Sequence, residues 1–213
     1  MCYLLEGLFG RNEVLADFTM SRKDIVGVGL SDWEGYAEHL SRIFSYTNTF
    51  YHTDPFLDIV AVPDKYIGKH DFMISTDVFE HVPPPVGLAF HGAFNALRPG
   101  GLLVLTVPFS RDNGGKEHYP NLHNYKILNH FGEWVMLNSA VDGNITLHRN
   151  LIFHGGPGTT LEMRVFSQAE VVRLLVEVGF VDVKVHSDER PDWGILLQHR
   201  EGLPITARKP LRP

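Results

Sequence analysis

Of 213 residues only one, Cys2, is a cysteine. That excludes an intramolecular disulfide and a cysteine-based zinc site, and it is compatible with a reducing compartment. Basic clusters are also missing. No Lys/Arg run exceeds the pair Arg22-Lys23, and the formal net charge is −6. A nucleic-acid backbone is normally met by a basic stripe, so polymeric DNA or RNA is not expected as a partner. No apolar run reaches the ~20 residues that span a bilayer, so no membrane association is expected. The stretch Met1 to Gly10 is apolar but lacks a basic start and a small-residue cleavage site, so no signal peptide is expected and the protein reads as cytoplasmic. Internal repeats and low-complexity segments are absent.

What is present is ordinary for a globular chain: 44% hydrophobic and 21% charged residues. The length fits a single domain, 1–213, with an elaborated region between its regular elements. Histidine is abundant at twelve, several of them in the second half: His118, His123, His130, His148 and His154. No HExxH-type spacing accompanies them, so scattered histidines of a polar loop region are expected rather than a metal site.

Periodicity gives the elements. Residues 3–17 read as a short amphipathic helix interrupted near Gly10. DIVGVG at 24–29 is a β-branched run entering a turn. Ser31 is placed to cap a helix over Trp33 to Phe44, with Asp32 and Glu34 in its first turn. YTNTFYH at 46–52 and LDIVAV at 57–62 read as strands, the second short and ending at Pro63. DFMISTDVF at 71–79 opens as a buried strand and closes in a polar turn. A helix from Val86 to Leu97, a turn at RPGG and the strand LLVLTVP at 102–108 follow. The stretch 109–160 has weak periodicity and is rich in Gly, Asn, His and aromatics. A connection that long is expected to be an inserted substrate or lid region. Next come a helix with Ser167 as cap, Glu170 completing a capping box and Gly179 ending it. The strand VDVKVH at 181–186, a candidate final strand at 193–200 and an extended tail complete the chain. Strands alternating with helices imply an α/β fold, a mostly parallel sheet with helices on both faces and an antiparallel hairpin at one edge. Such sheets bind ligands beyond the carboxyl ends of their strands.

At DFMISTDVFEHV (71–82) followed by LRPGGLLVLTVP (97–108), the sequence resembles the class I S-adenosylmethionine-dependent methyltransferases, specifically the type 11 set. RVFSQAEVVRLLVEVGFVDVKVH is similar to that family's closing helix and strand. The resemblance covers about residues 24–108 and 164–186 and leaves out 109–160. It implies a Rossmann-like sheet of seven strands, S-adenosylmethionine as cofactor, and methyl transfer; the mildly acidic charge and the aromatic, histidine-rich insert favour a small-molecule or carbohydrate-like acceptor, methylated at oxygen or nitrogen. The resemblance also implies site residues. The family's first motif, a carboxylate followed by G-x-G-x-G, meets Gly27-Val28-Gly29-Leu30-Ser31-Asp32 here. Gly27, Gly29 and Ser31 would supply the tight turn and the backbone N–H groups. A chain shortened at its N-terminus would also produce this departure. The family's acid on the ribose hydroxyls maps to Asp54, with Asn48 behind it, although Asp54 is equally a turn former before Pro55. Asp58 matches the acid that accepts from the adenine amine. Ser75, Thr76 and Asp77 would lie under the sulfonium.

Chemistry on the acceptor requires alignment and, for a hydroxyl, a base. His118, His154 and His81 are the candidates. His81 is open to two other readings, orienting the cofactor or capping the helix by packing. The loop Gly155–Gly158 reads either as a hinge or as a tight turn. Two rival functions remain. A nicotinamide-dependent oxidoreductase would need a third glycine where Asp32 stands. A non-catalytic methyltransferase-like scaffold would explain the altered first motif.

Overall fold

The structure, a computed structural model, describes residues 1–11, 13–110, 114–196 and 202–211. β-branched and aromatic runs supply a central sheet of six strands: β1 (Arg22–Leu30), β2 (Phe44–Thr49), β3 (His70–Thr76), β4 (Leu97–Thr106), β12 (Val181–Val185) and β13 (Ile205–Arg208). Their order is β12-β13-β4-β3-β1-β2. The four strands β2, β1, β3 and β4 are parallel, whereas β13 runs antiparallel to both β4 and β12. The parallel sheet and the antiparallel edge therefore match the sequence reading. The number of strands does not, because six form among the described residues instead of seven.

Alternation in the strands divides the core in two. Val28, Leu30, Met73, Leu103 and Leu105 point to one face and pack with α3 (Gly87–Ala96) and α4 (Gln168–Val178). Ile25, Phe72, Ile74, Leu102 and Val104 point to the other and pack with α1 (Cys2–Phe9) and α2 (Glu34–Ile43). Gly27 and Gly29 lie on this second face. A Cβ at Gly27 would stand 2.1 Å from the Phe72 ring, and one at Gly29 would meet the Tyr46 hydroxyl and the Asp32 carboxylate. Both glycines thus make room for rings and polar groups stacked on β1.

Several local expectations change. LDIVAV is a set of turns, since the Asp58 carboxylate accepts from Val60 N at 2.9 Å and Ala61 N bonds to Asp58 O. This missing strand accounts for the seventh. The Asx-type bond satisfies locally the N–H that a strand would have given to a neighbour. Ser31 is not a helix cap. It sits in left-handed geometry with φ 54 and donates its N–H to Thr49 O, while Trp33 occupies the cap position without a side-chain bond. The RPGG segment is absorbed into β4, where Leu97 to Leu102 oppose only His70 to Phe72 as a bulge. The last strand is β13, in the tail, and not 193–200. Within that segment Trp193 closes a short 3-10 helix, and positions 197–200 lie outside the described residues.

The 109–160 stretch is more ordered than its periodicity suggests. β6 (Asn124–His130), β7 (Glu133–Ser139) and β8 (Ile145–His148) form an antiparallel sheet. Phe131 and Gly132, with φ 50 and 88, make the two-residue reversal between the first two, the geometry that matches strand twist in hairpins. The short pairs β5 (Lys116–Glu117) with β11 (Arg164–Val165), and β9 (Phe153–His154) with β10 (Thr160–Leu161), attach this sheet to the main body. Tyr119, Leu122, Met136, Leu161 and Met163 form its separate small core.

The cap of α4 follows the sequence: Ser167 Oγ accepts from Glu170 N at 3.1 Å, and Gly179 closes the helix with φ 109. Ser167→Ala is expected to cost about 1 kcal/mol. Urea unfolding of the variant against wild type measures it, and an unchanged midpoint would mean that the cap is dispensable.

Candidate functional site

The parallel strands end at one edge, and their polar residues collect there. Thr49 closes β2, Ser75 and Thr76 close β3, and Thr106 closes β4. Immediately past β1, Ser31 and Asp32 turn back across this edge. Asp32 N donates to Asn48 Oδ1 at 2.9 Å, and Asn48 Nδ2 returns a bond to Asp32 O at 2.8 Å. The Asp32 carboxylate, 4% exposed, accepts from Tyr36 Oη at 2.7 Å, from Thr76 Oγ1 at 3.5 Å and from Tyr46 Oη. Burial pushes its pKa up to about 6 despite those hydroxyls, which act in the opposite direction. The tyrosine hydroxyls are raised in turn, by burial first and then by the Asp32 charge.

Asp77 is a second non-glycine residue in left-handed geometry, with φ 53, beside the strand ends. Its N–H donates to Thr106 O at 3.0 Å, and its carboxylate accepts from Thr106 Oγ1 at 3.2 Å. Ser75 Oγ is buried and, among the described residues, has no hydrogen-bond partner. Ser31, Thr76 and Asp77 thus join Asp32 at one edge, with Ser75 directly beneath. Gly27 and Gly29 lie inside β1. Asp54 is exposed on the loop after β2, and Asp58 spends one oxygen on its own turn. Neither loop aspartate contacts the Asp32 group.

Asp32 is the residue that sequence reasoning placed elsewhere. In the helix reading it serves the first turn. In the fold it is a buried acid in a tyrosine cage. Tyr36 at i+4 of Asp32 and Tyr46 on the next strand were the available signal, but only the β1–β2 pairing brings Tyr46 beside it.

A second cluster lies just past β3, where the 3-10 turn Phe79–His81 meets the β9–β10 hairpin. The three histidines named from sequence come together here. His118 Nε2 is 2.7 Å from Glu162 Oε1, and His154 Nε2 is 2.6 Å from Glu162 Oε2. His154 Nδ1 lies 3.2 Å from His81 Nε2, and His81 Nδ1 donates to Leu161 O at 2.9 Å. Glu80 is fully buried beneath them, and neither of its oxygens accepts a hydrogen bond among the described residues. Burial drives Glu80 up to about 8, and burial also lowers His81. The Gly155–Gly158 loop is the tight turn of the hairpin, its Thr159 N bonded to Gly156 O at 3.2 Å. Glu80 and Glu162 were not among the sequence candidates. Glu162 lies 44 residues from His118, so no local spacing marks the pair.

No family model matches the sequence, and no curated protein matches it. Solved structures do match in fold. The 1,6-didemethyltoxoflavin-N1-methyltransferase of Burkholderia thailandensis, bound to 1,6-didemethyltoxoflavin and S-adenosylhomocysteine, superposes with a TM-score of 0.52 at 16% identity, covering 98% of this chain and 76% of that one. The fold is that of the S-adenosylmethionine-dependent methyltransferases. The sugar N-methyltransferase KedS8 of Streptoalloteichus shares this methyltransferase fold, with a TM-score of 0.51 at 12% identity over 87% of this chain and 80% of that one. The CurJ carbon methyltransferase gives a TM-score of 0.53 at 14% identity over 92% of this chain, which spans about half (51%) of its length. Among the described residues no helix of this methyltransferase fold is long and apolar enough to cross a membrane.

Proposed function

We propose that the protein transfers a methyl group from S-adenosylmethionine to a small-molecule or carbohydrate-like acceptor, at oxygen or nitrogen. The observation that carries this reading is the buried, hydroxyl-caged carboxylate of Asp32 at the carboxyl edge of a methyltransferase-type sheet. A buried acid with a raised pKa at the ligand-binding edge of such a sheet is a functional-site candidate. Ser31, Ser75, Thr76 and Asp77 lie at the same edge and are proposed cofactor contacts, with Gly27 and Gly29 shaping β1 behind them. Asp54 and Asp58, on the loop after β2, are proposed for the adenosine end. The 109–160 sheet is proposed as the acceptor-binding insert of a single domain. Neighbours of this fold act, by their names, on 1,6-didemethyltoxoflavin and on a sugar, which supports an acceptor of that size.

Displacement at a sulfonium methyl needs alignment and exclusion of water, because the cofactor carries the reactivity. The protein's own contribution is the disposal of the acceptor's proton. The cluster of His81, His118 and His154 around Glu162 is proposed for that task. His154 is its most accessible member, with a side chain 39% exposed.

Calorimetric titration with S-adenosylmethionine and S-adenosylhomocysteine tests the reading. Wild type is expected to bind both in the micromolar range. Asp32→Asn and Asp58→Ala are each expected to weaken binding tenfold or more, about 1.4 kcal/mol. A folded wild type that binds neither compound would leave a methyltransferase-shaped scaffold without the activity.

A further inference from the structure

The proton inventory of the histidine cluster leaves something unfilled. Leu161 O can only accept, so His81 Nδ1 carries the hydrogen, and the neutral ring presents a lone pair at Nε2. Glu162 Oε2 likewise takes the hydrogen of His154 Nε2, leaving a lone pair at Nδ1. These two lone-pair nitrogens face each other at 3.2 Å, with no hydrogen between them in the neutral rings. The third party is Glu80 Oε1, 3.6 Å from His81 Nε2 and 3.9 Å from His154 Nδ1. The Glu80 carboxyl is completely buried, and among the described residues neither oxygen has a hydrogen-bond partner, a state disfavoured for a buried polar group unless something compensates it.

The geometry points to a binding site for one divalent transition-metal ion, of the zinc class, held by Glu80, His81 and His154. The three donor atoms form a triangle with sides of 3.2, 3.6 and 3.9 Å, and its centre is about 2.1 Å from each corner. That is the ordinary zinc–nitrogen and zinc–oxygen bond length, so the spacing of the three donors suits one such ion. Both histidines are already oriented as metal ligands are, each donating its other ring hydrogen to a carbonyl or a carboxylate. Glu162 does this for His154 and is itself fixed by His118 at 2.7 Å. Two imidazoles and one carboxylate favour zinc or a similar ion over magnesium or calcium, and they leave coordination positions open. Resting on the methyl-transfer reading, those positions suit an acceptor bearing a hydroxyl or carboxylate oxygen, and an ion held there would engage the lone pairs of His81 and His154 and so replace their direct role as bases.

The sequence conceals such a site because its ligands are 73 positions apart, joined only when the hairpin folds against the turn after β3.

The test uses the full chain, stripped with a chelator and titrated calorimetrically with zinc chloride at neutral pH, without S-adenosylmethionine. One ion per chain is expected, with Kd micromolar or tighter. Glu80→Gln and His154→Ala are each expected to weaken binding at least 100-fold. Because His154 is half exposed, its variant folds, which circular dichroism checks. His148→Ala, in the same insert, should bind as wild type does. Cobalt(II) loading should give visible bands of a low-coordinate nitrogen and oxygen site that vanish in His154→Ala. Absence of binding by wild type, or binding that both variants retain, would overturn the site and leave a proton shared between the two rings as the explanation of their contact. The cofactor titration is separate. Zinc binding without S-adenosylmethionine binding would keep the site and remove its acceptor role, whereas the converse would remove the site alone.

Discussion

Arg164→Met is expected to lower the unfolding free energy by about 3 kcal/mol. The guanidinium is 1% exposed and holds three segments together. Its Nε and Nη2 grip the two oxygens of Glu117 across the β5–β11 pair, at 2.5 and 3.2 Å. Its Nη1 donates to Val82 O at 2.6 Å and, more weakly, to Phe79 O at 3.3 Å. The Phe79 carbonyl keeps a second donor, the Val82 N–H at 3.2 Å, and Glu117 is exposed enough to be rehydrated. The loss therefore falls mainly on the Val82 carbonyl, where a hydrogen bond to a charged group is worth about 1.5–3 kcal/mol and a stranded buried acceptor adds to it. Arg164→Lys should recover only part, since one ammonium cannot span the carboxylate and the carbonyl. Glu117→Gln should also destabilise, by roughly 1–3 kcal/mol, because the buried guanidinium keeps a hydrogen-bond acceptor but loses its opposite charge. Urea denaturation of the four proteins decides the matter. A change under about 1 kcal/mol in Arg164→Met would show that the turn holding Glu80 and His81 is secured by its packing alone.

That arginine also shows where sequence reading stops. The motif residues around it were legible. The FEHV turn, the apolar runs of β3 and β4, and the Ser167–Gly179 bounds of α4 depend on local spacing, and they appear where the spacing puts them, whereas the turn expected at RPGG is drawn into β4. Nothing in the local sequence marks Arg164 as buried, because its burial depends on Glu117 and on carbonyls more than 80 positions away. The three-stranded sheet at 124–148 escaped for another reason. Its outer face stays largely exposed, with Leu128, Leu137, Ile145 and Leu147 all open, so the alternation that marks a half-buried strand is blurred. Phe131-Gly132 was its available turn signal. In the candidate site, the histidines were recognisable as residue types suited to proton transfer. Their assembly was not, since the two carboxylates that organise them belong to a turn and a loop with no shared period.

Asp32→Asn is expected to make the protein more stable at pH 7.5, by roughly 2–3 kcal/mol, and no more stable than wild type below pH 4. Burial holds the Asp32 carboxyl at about 6, against an ordinary value near 3.8. Between those values the folded chain keeps a proton that the unfolded chain has released. The contribution is therefore fully favourable below about pH 4, falls as pH rises towards 6, and above 6 remains as a constant penalty of about 3 kcal/mol or less. An asparagine has no proton to lose there, and its amide can donate to Tyr36, Tyr46 or Thr76 once those hydroxyls rotate to accept. Other groups titrate in the same range, so the quantity to measure is the difference between variant and wild type by urea unfolding at pH 4 and pH 7.5. A difference that is the same at both pH values would mean that Asp32 is ionised in the folded state with its cost already met. If instead the variant gains stability with pH while losing cofactor affinity, the wild type is retaining a charge that folding disfavours. Stability alone would have replaced that charge, and a cationic, polyhydroxylated ligand at the carboxyl edge of the sheet supplies the reason to keep it.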